Sequence, residues 1–317
     1  MITGILGIGI VTMISRRQFL KIMGGGFIAS AALSTYSFAI EPLYRLRLTT
    51  YRFTPPNWTA GLKLRVALIA DIHACNPWMT IERIEDIVAR TNDLKPDLTL
   101  LLGDYSAGMN MVTDYVHSRD WGPALGKLKA SSGVYSVLGN HDWWEDKSAQ
   151  RAGHGPTFGQ LALQREGIPV LENDAARLMK DDKAFWIAGL GDQLALPPHA
   201  KYGRRHWQGV DDLDGTLAKI TDTAPVLLMA HEPDIFPSIP DRVSVTMSGH
   251  THGGQVRLFG YSPVVPSRYK NRYAYGHVVE NDRHLIVSGG LGCSIAPIRF
   301  GSPPEIVLLE LGENAAV

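Results

Sequence analysis

The residues whose types and spacing could do chemistry occur in short polar runs. These are Asp71-Ile72-His73, Gly103-Asp104, Gly139-Asn140-His141-Asp142, a lone His231, and Gly249-His250-Thr251-His252. Carboxylate, imidazole and amide oxygen are the donor types that hold first-row divalent cations. One histidine in a loop is usually a hydrogen-bonding residue. Several in phase with carboxylates and an amide point to metal chemistry. Of the 11 histidines, His73, His141, His231, His250 and His252 stand in these runs. His117, His154, His199, His206, His277 and His284 follow no such pattern and read as surface or structural residues.

Each run follows an apolar segment of the kind that forms a buried strand: Leu64–Ala70, Leu98–Leu102, Val134–Leu138, Val226–Met229 and Val243–Met247. In α/β sheets the loops at the carboxyl ends of strands share one edge and form the binding crevice. The pattern therefore predicts that the polar runs converge. Further strands are expected at Phe185–Leu190, Leu285–Val287 and Ile306–Leu311. Helices are expected after Thr80, which can cap a face of Ile81, Ile84, Ile87 and Val88, and over Trp121–Ala130 and Thr157–Glu166. Strands alternating with helices give an α/β fold, with a strand-rich part after Gly253. No repeat or low-complexity linker interrupts it. One catalytic domain is expected over residues 62–317, with 40–61 as a linker.

Composition narrows the class. The chain has 317 residues, 45% hydrophobic and 20% charged, enough for a full core and unlike a disordered or disulfide-knotted chain. Lys and Arg number 31 and Asp and Glu 31, so no basic field points to nucleic acid. Two cysteines make no zinc-finger spacing. A Cys75–Cys293 disulfide is open in an oxidising compartment, but a buried small side chain is the favoured reading of Cys75.

The first 39 residues read as an address. Ser15-Arg16-Arg17-Gln18-Phe19-Leu20-Lys21 precedes a moderately apolar stretch from Ile22 to Phe38 that contains Gly24-Gly25-Gly26. Ser37-Phe38-Ala39 offers a permissive cleavage point. The segment resembles a twin-arginine (Tat) export signal. That implies passage through the Tat translocon via residues 15–21, and a place in the periplasm or cell envelope. If the signal is not cut, it implies membrane association. Met13, two residues before the run, is an alternative start to Met1. Loss of residues 1–39 would leave 28 basic against 31 acidic residues.

Taken in order, D-x-H, G-D, G-N-H-D, H and G-H-T-H resemble the calcineurin-like metallophosphoesterases, over residues 71–252. Asp71-Ile72-His73-Ala74, the G-H-T-H-G-G-Q run and the export signal are similar to the YaeI/YkuE-type bacterial phosphodiesterases of that family. The resemblance implies a β-sandwich flanked by α-helices, four layers in αββα order. It implies two divalent metal ions, with Asp71, His73 and His252 on the first and Asn140, His231 and His250 on the second. Asp104 would bridge them, as a carboxylate can do for cations ~3.5–4 Å apart. Residues i and i+2 of an extended segment point the same way, but across a turn the two imidazoles of His250-Thr251-His252 can each reach a different metal. Where many members have G-D-x-x-D, Gly103-Asp104-Tyr105-Ser106-Ala107 has no second acid. The nitrogen and oxygen donors without thiolate suit Mn, Fe, Zn or Co.

The reaction so implied is hydrolysis of a phosphoester by in-line attack of a metal-bridging hydroxide, with His141 as general acid or donor to the phosphate. Asp142 either supports His141 and the metal shell or caps a helix. A phosphodiesterase is expected, acting on a nucleotide, a phospholipid head group or a pyrophosphate-linked lipid. A phosphomonoesterase and a lipid or nucleotide pyrophosphatase are the alternatives, and a non-catalytic envelope binding protein with structural metals is a third class. No H-x-H-x-D-H run supports a metallo-β-lactamase-like hydrolase. Trp78, Trp143 and Trp144 could stack on substrate or pack in loops. Arg268, Lys270, Arg272 and Arg299, interleaved with Tyr269, Tyr273 and Tyr275, could hold a second phosphate or form a solvated basic face.

Overall fold

The computed structural model of the protein describes residues 15–312. The alternative starts Met1 and Met13 lie outside the described residues. The chain opens with helix α1 (Arg16–Thr35), a π-turn (Tyr36–Ile40) and α2 (Glu41–Tyr44). There follow β1 (Arg47–Phe53), β2 (Leu64–Ile69), β3 (Cys75–Asn76), α3 (Ile81–Asp93), β4 (Leu98–Leu101), β5 (Asp114–Tyr115) and α4 (Ser118–Leu125). Next come β6 (Val134–Ser136), α5 (Asn140–Trp144), α6 (Lys147–Ala152), α7 (Phe158–Arg165), β7 (Asp174–Lys180), β8 (Lys183–Gly189) and α8 (Leu213–Ala218). The last strands are β9 (Val226–Met229), β10 (Val245–Ser248), β11 (Gly276–Glu280), β12 (Arg283–Val287) and β13 (Glu305–Leu311).

Two sheets carry the architecture. One has the order β1-β13-β2-β4-β6, the other β11-β12-β10-β9-β8-β7. The apolar runs alternate with the two-residue period of a strand. In β2 and β4, Leu68, Leu98 and Leu100 point between the sheets, where they join Ile187, Leu227, Met247 and Leu309 in one buried core. Ile69 and Leu101 point outward onto a second core with Ile84, Val88, Trp121 and Leu163 of α3, α4 and α7. On the far side Trp186, Val226 and Leu228 pack with Phe236 and Tyr273, and with Leu213 and Leu217 of α8. The result is helix, sheet, sheet, helix, and the expected mixed α/β class is met. Thr80 and Thr157 cap α3 and α7 through the amides of Arg83 and Gln160.

The differences from expectation lie at edges. Residues 47–53, inside the expected linker, form β1 and pair in parallel with β13, Leu48 opposite Ile306. β7 and β11 were not anticipated. All three sit at sheet edges, and their burial is only partial. An edge strand needs no continuous apolar run, so its composition is close to that of a loop. Helix α4 ends at Leu125, where Gly126 closes it, short of the expected Ala130.

Candidate metal centre

The polar runs leave the ends of β2, β4, β6, β9 and β10 and meet on one edge of the sandwich. Getting the donors there requires unusual backbone. Asp71 (φ 54°), His73 (φ 47°), Asp104 (φ 58°), His250 (φ 69°) and His252 (φ 53°) are all left-handed. Such residues cost of order 1–3 kcal/mol each and persist only where the surroundings over-determine them. Here the loops hold one another: the amides of Asp71 and His73 donate to the carbonyls of Gly103 and Asp104, at 3.0 Å each. The approach is close enough to require glycine. A Cβ on Gly103 would lie 2.5 Å from the Gly139 nitrogen, and one on Gly139 would lie 2.3 Å from Asp104 Oδ1.

Two trios of donors result. Asp71, His73 and His252 form one, Asp104, His231 and His250 the other. His73 Nδ1 faces the Ser106 carbonyl at 2.8 Å and His231 Nδ1 the Leu102 carbonyl at 2.7 Å. Each Nδ1 therefore donates to a carbonyl, which leaves each Nε2 facing inward. His73 Nε2 lies 3.1 Å from His252 Nε2. Asp104 Oδ2 lies 3.5 Å from His73 Nε2 and 3.3 Å from His231 Nε2, so one carboxylate faces both trios. Asn140 Oδ1 lies 2.9 Å from His250 Nδ1 and joins the second. Asp71 Oδ2 and His231 Nε2 are buried without a hydrogen-bond partner. Orphaned acceptors and converging imidazole lone pairs are costly unless a cation lies among them. The residues fit divalent metal.

The electrostatics agree. Burial pushes the Asp71 carboxyl up to about 7, against the pull of His231. Burial takes His73 and His250 down to about 4 and, with His73 adjacent, His252 well below its ordinary range. Burial also opposes charge on His231, but the Asp104 carboxylate against it holds its pKa well above the usual value. Burial thus favours the neutral, ligating form of His73, His250 and His252, while Asp104 favours the charged form of His231.

The remaining expected residues take distinct places. His141 lines the cleft beside the trios, its Nε2 3.4 Å from Ser294 Oγ and its Nδ1 3.8 Å from Glu145. Burial would lower its pKa, but Asp104 and Glu145 raise it overall. Asp142 is buried and makes no bond to the His141 ring. Its Oδ2 accepts from the amides of Asp104 and Gly139, and its Oδ1 from those of Tyr105 and Ser106. It ties the β4 and β6 loops, the placement of a positioning residue. Trp144 lines the cleft with its ring 4.9 Å from His141, whereas Trp143 is fully buried and Trp78 bonds the Met111 carbonyl. Arg299 is not part of a basic face. It is fully buried, donates to the carbonyls of Gly289, Gly292 and Ser302, and lies 3.3 Å from His252 Nδ1. Arg268 and Arg272 pair with Asp234 and Glu280 away from the cleft. Cys75 and Cys293 are buried free thiols in one apolar cluster.

Asp192 and Glu232 escaped the sequence reading. They form a third buried group with His231. Asp192 follows the end of β8 as Gly191-Asp192, the same strand-end signature as Gly103-Asp104, so the signal was present in the sequence.

A family model described as calcineurin-like phosphoesterase matches residues 64–254, the span from β2 through every donor of both trios. The chain belongs to this family and is a metal-dependent phosphoester hydrolase. It is 30% identical over 306 residues to an uncharacterized metallophosphoesterase, YkuE, of Bacillus subtilis, covering 94% of this chain and 97% of that one. It is 29% identical over 309 residues to the phosphodiesterase YaeI of Escherichia coli, covering 94% and 100%. A transmembrane protein with metallophosphoesterase domain from Danio rerio is 29% identical over 266 residues, 78% of this chain and 53% of that one.

Proposed function

We propose that the chain is an envelope phosphodiesterase that works with two divalent cations. Asp71, His73 and His252 would hold one, Asn140, His231 and His250 the other, with Asp104 between. The observation that carries the reading is the position of Asp104 Oδ2, within 3.5 Å of an imidazole nitrogen of each trio. Cations bound there supply charge neutralisation on the phosphate oxygens and a nearby water of lowered pKa. The protein's own residues do the rest. Asn140 adds a neutral oxygen, so the donor set keeps a net attraction for phosphate. His141, raised in pKa and lining the cleft, is placed to deliver a proton to the departing ester oxygen. Trp144 packs edge-on against the His141 ring at 4.9 Å and lines the cleft. Asp142 holds the loops bearing Asp104 and Asn140 at a fixed separation.

Export by the Tat route is part of the proposal. Ser15 caps α1 reciprocally with Gln18, so the twin-arginine run opens the helix. The helix is long and apolar enough to cross a membrane, and basic residues at its start favour a cytoplasmic N-terminus. Retention as an anchor is supported by the segment around Ala39. Ser37 is buried and its carbonyl accepts from the Arg299 amide, and buried Glu41 accepts from the Ser302 amide.

The test uses the full chain with Mn²⁺. Turnover of bis-p-nitrophenyl phosphate should exceed that of p-nitrophenyl phosphate and should fall in Asn140→Ala and His141→Ala. A faster monoester reaction would overturn the diester assignment.

A further inference from the structure

The cleft over the metal centre is lopsided. It measures about 590 Å³ and has a polar floor made by Asp104, Asn140, His141, His250 and His252. The facing wall is apolar: Val256, Pro263, Val264 and Pro266 from one loop, Ile295 and Ile298 from another. Gln255 joins the two loops, its side chain donating to the Ala296 carbonyl and accepting from the Ser294 amide. No Lys or Arg is among the residues lining the cleft. A nucleotide or another polyanion would call for them.

The apolar wall continues outward. Val264 is 74% and Ile295 80% exposed at the rim, and Phe259 is fully exposed at the tip of a tight turn. That turn is closed by reciprocal Leu258–Tyr261 backbone bonds of 2.8 and 2.9 Å, with Phe259 held in left-handed backbone. A fixed aromatic tip beside an exposed apolar rim marks an interaction surface.

The same wall anchors α1. Val256 and Phe300 form a parallel bridge, with the Phe300 amide donating to the Gln255 carbonyl at 2.8 Å. Tyr36, just past the end of α1, packs edge-on against Phe300 at 5.9 Å. Helix α1 has 20 residues and buries none of them. At ~1.5 Å per residue it spans about 30 Å, the thickness of a bilayer's hydrocarbon core. The helix long and apolar enough to cross a membrane therefore ends on the segment that forms the cleft's apolar wall.

We propose that the substrate is an amphiphilic phosphoester drawn from the membrane. Its phosphorus would lie on the polar floor and its alkyl chain along Val256, Val264 and Ile295. The inference rests on the hydrolase reading above and names the substrate class for that site. In the reaction the bond from phosphorus to the leaving oxygen breaks, water supplies the new oxygen, and the proton goes to the departing alcohol.

The experiment uses the full chain in an amphipol, loaded with Mn²⁺. It compares p-nitrophenyl octyl phosphate with p-nitrophenyl methyl phosphate, which share a leaving group. The octyl ester should show kcat/KM at least about tenfold higher, since each buried methylene adds to binding. The ratio should fall toward one in Val264→Asp/Ile295→Asp, both exposed positions that fold without burying the new charge. Calorimetric binding of octyl phosphonate against methyl phosphonate should show the same preference and the same loss. Equal handling of the two chain lengths, or a preference that survives the double variant, would overturn the proposal. If neither ester turned over, the hydrolase reading would fail, and the binding preference would still decide the substrate class.

Discussion

At the scale of residues, His141 and His231 share a neighbour and differ in task. Asp104 and Glu145 raise the pKa of His141, so its imidazolium persists to higher pH than an ordinary histidine. A general acid must be protonated, so activity is expected to fall as pH rises through that pKa. His141→Ala should lower kcat by about 10²–10⁴-fold and remove this alkaline limb while bound metal, counted by plasma emission, is retained. Asp104 favours the protonated form of His231, and a metal ligand must give up such a proton. Mn²⁺ loading near neutral pH should therefore release protons, and affinity should tighten as pH rises. Calorimetry in buffers of different ionisation enthalpy reads both. An absence of proton release would sink the assignment of His231.

At the scale of elements, the site is a set of strand ends clamped together. The clearest clamp is Asp142 at the start of α5, whose carboxylate takes four backbone amides from two loops. Asp142→Asn keeps one acceptor and turns an amide nitrogen toward two of those donors. Buried donors left without partners cost about 1–3 kcal/mol each. The variant should lose about 2–5 kcal/mol in urea melts and should bind metal more weakly, because Asp104 and Asn140 lose their fixed spacing. Unchanged stability would show that the clamp is dispensable. At the same scale the missed strands β1, β7 and β11 share a cause. Each lies at a sheet edge with one side exposed, so its residues need not be apolar. Central strands such as Val226–Met229, buried on both faces, announced themselves.

At the scale of the whole molecule, the turn that follows α1 is packed into the catalytic sandwich through Ser37 and Glu41. Glu41 is 2% exposed and its Oε1 accepts from the Ser302 amide at 2.8 Å, beside the Arg299 clamp that reaches His252. Glu41→Ala is expected to cost about 1–3 kcal/mol by stranding that amide and to lower the melting temperature of the full chain. Cleavage after Ala39 would leave Glu41 in place but remove Ser37, whose carbonyl accepts from the Arg299 amide at 2.9 Å. Mass spectrometry of the protein recovered from its native host should find the segment intact, and an N-terminus at Ile40 would overturn the proposed retained anchor.

The convergence of the candidate donors was legible in the sequence: Asp71, His73, Asp104, Asn140, His231, His250 and His252 each follow a buried strand, and strand ends of one sheet share an edge. The α/β class followed from the same alternation, because hydrophobic periodicity is a local property of the chain. What only the tertiary structure decided depends on distant contacts. Asp142 turned out to hold loops rather than His141, and Arg299 turned out to be buried against the centre rather than solvated, because partners far along the chain choose a side chain's role. Asp192 and Glu232 reach His231 only once β8 and β9 are paired. The apolar wall of the cleft and its tie to α1 arise from loops without a period, which sequence pattern cannot place.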